Sequence, residues 1–232
     1  MKTAQDDRFT VPLYSVAEAA RFLGVHASTL ATWAHGYVRR PPGRPNVVGK
    51  PVLTSVTARP GEATIPFVGL AEGMVVASFR SAGVSMQHLR RAVDVLEREI
   101  GFRHALASRN LFTDGARVLF DYAERKGDEA LTVVVTQQRV FVPVVADYLQ
   151  RIEYGADNWA IRLASPATKQ KIIVVDPERS FGQPMFVRGA ARVEDVVDRW
   201  RAGEPLAEVA ADFGVPPSDV EDYLRVALPA AA

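Results

Sequence analysis

The amino-terminal part of the chain contains two runs of apolar residues at helical spacing. The first run turns one apolar face inward, formed by Val16, Ala19, Ala20 and Leu23. Ser15 and Glu18 stand at the spacing of a capping box, which predicts that a helix starts there. Gly24 then allows a tight reversal, because glycine adopts left-handed backbone conformations at little cost. A second run over residues 28–34 follows, and the pattern predicts a helix-turn-helix.

Helical periodicity stops between residues 36 and 50, where glycines and prolines interrupt a stretch rich in arginine. Such breakers predict a loop or an open hairpin. Residues 52–54 and 65–68 are expected to be short extended pieces. Further helices are predicted over residues 70–82 and 85–100, and the second of them has an apolar stripe opposite charged positions. We assign this stripe to the core.

The rest of the chain mixes strand and helix patterns. Runs rich in β-branched or apolar residues make strand candidates of residues 131–136, 140–145, 159–164 and 171–175. The first two candidates are close enough to form a hairpin. Helical spacing returns over residues 192–227. The pattern therefore predicts an α+β fold with an amino-terminal helix-turn-helix, a small mixed β region and a carboxy-terminal helical, helix-turn-helix-like module.

The sequence around Gly24 recurs near the other end of the chain. Residues 17–25 and 207–215 align at a constant offset, and a weaker copy precedes Ser85. Each copy is typical of a helix, a Gly-Val turn and a second helix. We interpret the three copies as one stable supersecondary unit used repeatedly, with chance convergence as the alternative.

Composition narrows the class of protein. The 232 residues are 48% hydrophobic and 24% charged, with a net charge of +1, as in ordinary globular domains. The absence of cysteine excludes disulfides, thiolate metal sites and cysteine nucleophiles, and it fits a reducing compartment. No apolar run is long enough to span a membrane. We therefore expect a cytoplasmic protein with no membrane partner.

Charge is distributed unevenly along the chain. Basic side chains outnumber acidic ones in residues 1–60, and the reverse holds for residues 171–232. A basic head suggests a polyanionic partner, and a DNA-reading helix needs short polar groups for the bases with cations nearby for the phosphates. The predicted base contacts are Ser28, Thr29 and Thr32. The predicted DNA interface also includes His26, at the expected N-cap, and the phosphate-binding cations Arg39, Arg40, Arg44 and Lys50.

The carboxy-terminal copy of the helix-turn-helix does not suit DNA. Its last helix carries Asp219, Glu221 and Asp222, and carboxylates repel phosphates. We interpret this copy as a protein-binding or scaffold element.

Catalytic and metal-binding patterns are missing from the sequence. The four histidines, His26, His35, His88 and His104, include no pair at the i, i+4 spacing of a helical metal site. Capping and surface roles are expected for them. There is no glycine-rich phosphate loop, so we expect no cofactor, no metal and no catalytic residue. The sequence predicts a binding protein rather than an enzyme.

Two stretches of the chain resemble known families. Residues 12–100 resemble the MerR-type winged helix-turn-helix domain, through Ser15-Val16, Leu23-Gly24-Val25, Thr29-Leu30, Trp33 and Gly83-Val84-Ser85. Residues 171–228 resemble a small antitoxin-associated module, through Asp176-Pro177, Gly182-Gln183-Pro184 and Val187-Arg188-Gly189. The combination resembles VapB-type antitoxins of toxin–antitoxin pairs.

The resemblance implies a domain organisation and two partners. It implies a DNA-binding winged helix-turn-helix at 11–100, a mixed region of unassigned role at 101–170 and a protein-binding module at 171–232. The implied partners are double-stranded operator DNA, through which the protein represses its own operon, and a PIN-domain ribonuclease toxin that it neutralises by direct binding. The alternative is a stand-alone MerR-like transcriptional regulator without a toxin.

The same resemblance suggests contacts and an oligomeric state. The active site of a PIN-domain ribonuclease is a cluster of carboxylates, and guanidinium groups pair strongly with carboxylates. Candidate toxin contacts are therefore the tail arginines Arg188, Arg192 and Arg225. We expect a homodimer, because two-fold symmetry lets paired recognition helices reach successive major grooves.

Overall fold

A computed structural model describes residues 6–40, 42–43, 45–59, 62–99, 101–111 and 147–227. The predicted hairpin at 131–136 and 140–145 and the predicted phosphate contact Arg44 lie outside the described residues. The fold is α+β, as expected from the sequence.

The predicted helix-turn-helix is confirmed near the amino terminus. Its elements are α1 (Asp7–Thr10), β1 (Pro12–Tyr14), α2 (Val16–Leu23) and α3 (Ala27–His35). Both halves of the capping box are present, since the Ser15 hydroxyl accepts from the Glu18 N–H and the Glu18 carboxylate accepts from the Ser15 N–H. Gly24 has a φ of 67°, which favours glycine at the turn. The sequence therefore specifies both the start and the end of α2.

A two-stranded hairpin and two helices follow. They are β2 (Tyr37–Arg39), β3 (Val47–Gly49), α4 (Phe67–Ser81) and α5 (Met86–Asp94), with the short strand β4 (Ile65–Pro66) before α4. The open hairpin expected after α3 is thus an antiparallel wing, whereas residues 52–54 form no strand. The predicted helix over 85–100 is α-helical only to Asp94 and continues as a π-helical turn, Val95–Glu99. At 65–68 the expected extended piece stops at Pro66, because Phe67 already begins α4.

Helix α4 is the central element of the core. Every residue from Phe67 to Phe79 is buried, including the carboxylate of Glu72. Gly73 allows α2 to approach closely, because a Cβ there would come within 2.8 Å of the Leu23 Cδ1 atom. The helix-turn-helix therefore rests on α4 through its first helix.

From residue 147 onward, the described strands form one antiparallel sheet. Its strands are β5 (Ile152–Tyr154), β6 (Ala160–Ala164), β7 (Ile173–Val175) and β8 (Met185–Phe186), in the order β5-β6-β7-β8. The sheet runs across residue 170, where the sequence suggested a domain boundary. Strands from both sides of that position share one hydrogen-bonded ladder.

Three helices close the chain. They are α6 (Val193–Arg201), α7 (Leu206–Asp212) and α8 (Pro217–Ala227). The turn between α7 and α8 repeats that between α2 and α3: the N–H of Val215 donates to Ala210, as that of Val25 donates to Ala20. Gly83 and Val84 repeat the pattern between α4 and α5, with Val84 bonded to Phe79. The predicted threefold use of one turn is confirmed by its hydrogen bonds.

Candidate nucleic-acid interface

The amino-terminal end of α3 presents polar groups to solvent. His26 caps the helix, as expected: its Nδ1 atom lies 3.3 Å from the Ser28 N–H nitrogen and 2.8 Å from the Ser28 hydroxyl. Ser28 and Thr29 are exposed, whereas Leu30 and Trp33 are buried beneath them. The helix is therefore held by its apolar face and exposes two hydroxyl groups, of which that of Ser28 already contacts His26.

Thr32 is less available than its neighbours on α3. Its side chain is half-buried, and its hydroxyl donates to the Thr29 carbonyl at 2.8 Å. This bond uses the only hydroxyl proton, so the side chain is left with acceptor capacity alone. The expectation that Thr32 projects outward like Ser28 and Thr29 holds only in part.

The wing carries the predicted cations. Arg39 and Arg40 are exposed, and Arg39 stacks on Tyr37 with 4.9 Å between the guanidinium carbon and the ring centroid. Arg90, from α5, lies over the same ring at 5.1 Å. Two guanidinium groups on one aromatic ring form a preorganised positive patch beside α3.

The wing also has an apolar surface that the sequence reasoning missed. Val38, Val47 and Val48 are 57%, 50% and 64% exposed. Val38 and Val48 are paired across the hairpin. Alternation along the two strands could have revealed them, but the sequence between 36 and 50 shows breakers more strongly than strand periodicity.

Lys50 is tied to α5. Its ammonium group lies 3.1 Å from the Asp94 carboxylate, and its carbonyl accepts from Arg90 Nε at 2.8 Å. The charged residues of α5 therefore have a structural role, because Arg90 and Asp94 fix the end of the wing. The Lys50 side chain is still 56% exposed, and such pairs are weak enough for a phosphate to compete.

In the carboxy-terminal copy, Asp219 does not face solvent as expected. It is 2% exposed, and both of its oxygens accept from Arg188. Glu221 is exposed and Asp222 is partly exposed, so two of the three acidic residues of α8 still face solvent. The acidic character of this helix is thus smaller than the sequence suggests.

The candidate toxin-binding arginines are all engaged within the chain. Arg188 pairs with Asp219, Arg192 with Asp195 and Arg225 with Asp222. The last two pairs are local and exposed, so these arginines could exchange their partner for a carboxylate of another protein at little cost in free energy. Arg188 instead covers a buried charge.

The surface role expected for the histidines is wrong for His104. Its Nδ1 atom lies 2.8 Å from the Thr54 hydroxyl and 3.3 Å from the buried Glu72 carboxylate. The hydrogen bond that His104 donates to the Glu72 carboxylate raises the pKa of His104. Within the described part of the chain, no group of three or more metal-binding side chains occurs, and no helix is long and apolar enough to cross a membrane.

Comparison with known proteins agrees with this geometry. Residues 12–93 match a family described as "Putative DNA-binding HTH domain", and residues 173–227 match "Protein of unknown function (DUF433)". The chain is 45% identical over 226 residues to "Putative antitoxin VapB45" of Mycobacterium tuberculosis, with 94% of each protein covered. The chain belongs to the VapB antitoxin family. The resemblance inferred from the sequence is confirmed.

A solved structure has the same fold as this chain. The X-ray crystal structure of Rv2018 from Mycobacterium tuberculosis matches with a TM-score of 0.76 at 40% identity, covering 94% of this chain and 99% of that chain. Antitoxin and helix-turn-helix families point to a non-enzymatic DNA-binding regulator. In this VapB antitoxin, the exposed hydroxyls of α3 and the cations of the wing lie in the matched DNA-binding segment.

Proposed function

We propose that this chain is an antitoxin that represses its own operon by binding operator DNA and neutralises a PIN-domain ribonuclease by direct binding. The observation that carries the DNA-binding proposal is the exposure of Ser28 and Thr29 on an α3 that is anchored by Leu30 and Trp33. In a helix-turn-helix, such positions at the start of the second helix meet base edges in the major groove.

The cations divide into two groups in this proposal. Arg39 and Arg40 are exposed on the wing and bind phosphates directly. Lys50 exchanges Asp94 for a phosphate when DNA binds. Arg44 is assigned to the same role from its sequence position. His26 holds the start of α3 and supports Ser28. A homodimer would present two such helices to a palindromic site.

The salt dependence of DNA binding tests the wing. Replacing Arg39 and Arg40 by glutamine removes two phosphate contacts, so the slope of log K against log salt should become shallower by about two units. Arg225→Gln removes an exposed arginine on α8 and should leave the slope unchanged. Fluorescence anisotropy with operator DNA over a salt series measures both. An unchanged slope for the double variant would refute phosphate binding by the wing.

Sequence preference tests the base contacts. Thr29→Val removes the hydroxyl with little change in shape, and affinity for operator should fall while affinity for random duplex DNA stays the same. The loss should be on the order of 1–3 kcal/mol if one base contact is removed. Thr32→Val, whose hydroxyl already bonds within the helix, should have the smaller effect. Equal losses on operator and random DNA would exclude a base contact by Thr29.

Two observations support toxin neutralisation. They are the family to which the chain belongs and the net acidic charge of the residues from 171 onward. The residues from 171 onward are net acidic, which disfavours DNA and leaves this module free for a protein. Titration of the chain against the PIN-domain ribonuclease of its operon, with RNA cleavage as the readout, tests this part. Stoichiometric inhibition supports it. Repression of the promoter with no inhibition of cleavage would favour the stand-alone regulator.

A further inference from the structure

A tight turn before β8 holds a phenylalanine out in solvent. Phe181 is 89% exposed, more than the other exposed large apolar residues in the described part of the chain. It lies in the short helical turn Ser180–Gly182, between β7 and β8. A single exposed apolar side chain is common on protein surfaces, so Phe181 gains significance only from the backbone and the charge next to it.

The backbone of this turn is strained and firmly fixed. Ser180 and Phe181 have φ values of 46° and 53°, in the left-handed region that non-glycine residues avoid. At one end, the Asp176 carboxylate accepts from Glu178 N–H at 3.0 Å. At the other end, the Gly182 carbonyl accepts from the buried Tyr14 hydroxyl at 2.8 Å. Strain of this kind persists only where the surroundings impose it, and it clusters at functional sites.

An exposed arginine precedes Phe181 by two residues. Arg179 is exposed, and its side chain has no carboxylate or carbonyl partner among the described residues. It differs in this from the other arginines of the described segment 147–227, which each make such a contact: Arg151, Arg162, Arg188, Arg192, Arg199, Arg201 and Arg225. The turn thus combines an apolar anchor with a guanidinium group available for a partner.

We propose that the turn containing Arg179 and Phe181 is the anchor by which the antitoxin holds its ribonuclease toxin, an inference that rests on the proposed function. Phe181 enters an apolar pocket of the toxin, as aromatic hot spots do, and Arg179 pairs with a carboxylate at the rim. Charge favours this partner. Nucleases that hydrolyse RNA with metal ions hold those ions with carboxylates, which complement a free guanidinium group.

A second copy of the chain fits the turn less well. A two-fold contact centred on this turn would bring two Arg179 side chains together, and like charges at an interface oppose association. As the toxin-binding arginine, we therefore favour Arg179 over the earlier candidate Arg188. Arg188 is paired with the buried Asp219 and is not available to a partner.

Two variants of the full-length protein test the anchor. Phe181→Asn should weaken toxin binding by about 30-fold or more, as for loss of a hot-spot side chain. Asparagine adopts left-handed conformations more readily than phenylalanine, so the melting temperature should not fall. Arg179→Glu should weaken binding by about tenfold or more. Val38→Asn, on the wing, removes another exposed apolar side chain and should leave toxin affinity unchanged.

The measurements are titration calorimetry against the purified PIN-domain ribonuclease and anisotropy with operator DNA. Phe181→Asn should lose toxin affinity and keep DNA affinity, whereas the Arg39→Gln and Arg40→Gln double variant should do the opposite. If wild type binds the toxin and Phe181→Asn binds it equally well, the anchor is refuted and the proposed function stands. If wild type does not bind, toxin neutralisation itself fails. A dimer that dissociates on Phe181→Asn, with toxin affinity intact, would assign the turn to self-association and overturn the proposal.

Discussion

Among single residues, the least expected feature is the buried cluster of Glu72, Thr54 and His104. It lies in the described part of residues 6–111, called the head from here on, and the described residues from 171 onward are called the tail. Glu72 is 3% exposed in the middle of α4, yet its carboxylate accepts from the Thr54 N–H and hydroxyl and contacts His104. A buried carboxylate is stable only with such partners. Residues 54 and 104 are far apart in sequence, so no local pattern could have indicated this cluster.

The His104 contact predicts a pH-dependent stability. Glu72 raises the pKa of His104 in the folded state, and nearby Glu97 acts in the same direction. Its stabilising contribution is therefore fully present below the unfolded pKa of about 6.5 and is lost as pH rises through the higher folded value. Urea unfolding of wild type and His104→Gln should show the largest difference in free energy of unfolding at mildly acidic pH, shrinking towards alkaline pH.

A variant of Glu72 is the control for this prediction. In a Glu72→Gln background the main cause of the raised pKa of His104 is removed and only the weaker effect of Glu97 remains, so the effect of His104→Gln should vary much less with pH. A difference between wild type and His104→Gln that is constant with pH would show that the pair is not coupled in the folded protein.

At the scale of elements, the sequence predicts the helix-turn-helix of α2 and α3 well, for local reasons. The capping box at Ser15 and the left-handed Gly24 are local signals, and each marks a helix end within one residue. The π-helical turn after Asp94 and the end of the extended piece at Pro66 depend on packing against the rest of the molecule, so periodicity alone missed them.

In the candidate DNA interface, too, the local features could be predicted from the sequence and the contacts between distant elements could not. Exposure of Ser28 and Thr29 follows from helical periodicity, because Leu30 and Trp33 define the buried face. The stacking of Arg90 on Tyr37 joins two elements that are distant in sequence, and no pattern within either element predicts it.

The ion pairs made by Asp219 and Asp222 of α8 predict different effects on stability for their two arginine partners. Arg188→Ala should lower the free energy of unfolding by about 2 kcal/mol, because it leaves the buried Asp219 carboxylate unpaired. This is less than for a fully enclosed pair, since the Arg188 side chain is 56% exposed and water can replace it. Arg225→Ala breaks an exposed pair and should leave stability almost unchanged. Equal effects in denaturant titrations would contradict the distinction.

At the scale of the whole molecule, the head and the sheet are joined at the turn of the helix-turn-helix. The buried Ser165 hydroxyl donates to the Phe22 carbonyl at 2.5 Å, and a Cβ on Gly24 would lie 3.4 Å from Ala167. Arg151 fixes this loop by donating to the Ser165 carbonyl at 2.8 Å. The loop after β6 therefore clamps the turn that sets the angle between α2 and α3.

This junction has a consequence for experiments on fragments. A cut at residue 170 separates β7 and β8 from β6, their partner in the same sheet, and exposes backbone groups that are paired in the intact chain. The residues before the cut keep β5 and β6 but lose the two strands that complete this sheet. Binding by the tail is consequently better tested in the full chain.

The shared core predicts that the described parts of the head and tail unfold together. One cluster of buried apolar side chains extends from Tyr14 in the head to Leu224 on α8. Native-state hydrogen exchange should therefore give similar opening free energies for protected amides in α4 and in β6. Ser165→Ala should lower both by the same amount, about 1 kcal/mol for one lost hydrogen bond. If amides in α4 keep their wild-type protection while those in β6 lose theirs, the two halves are separate folding units, and the clamp does not couple them.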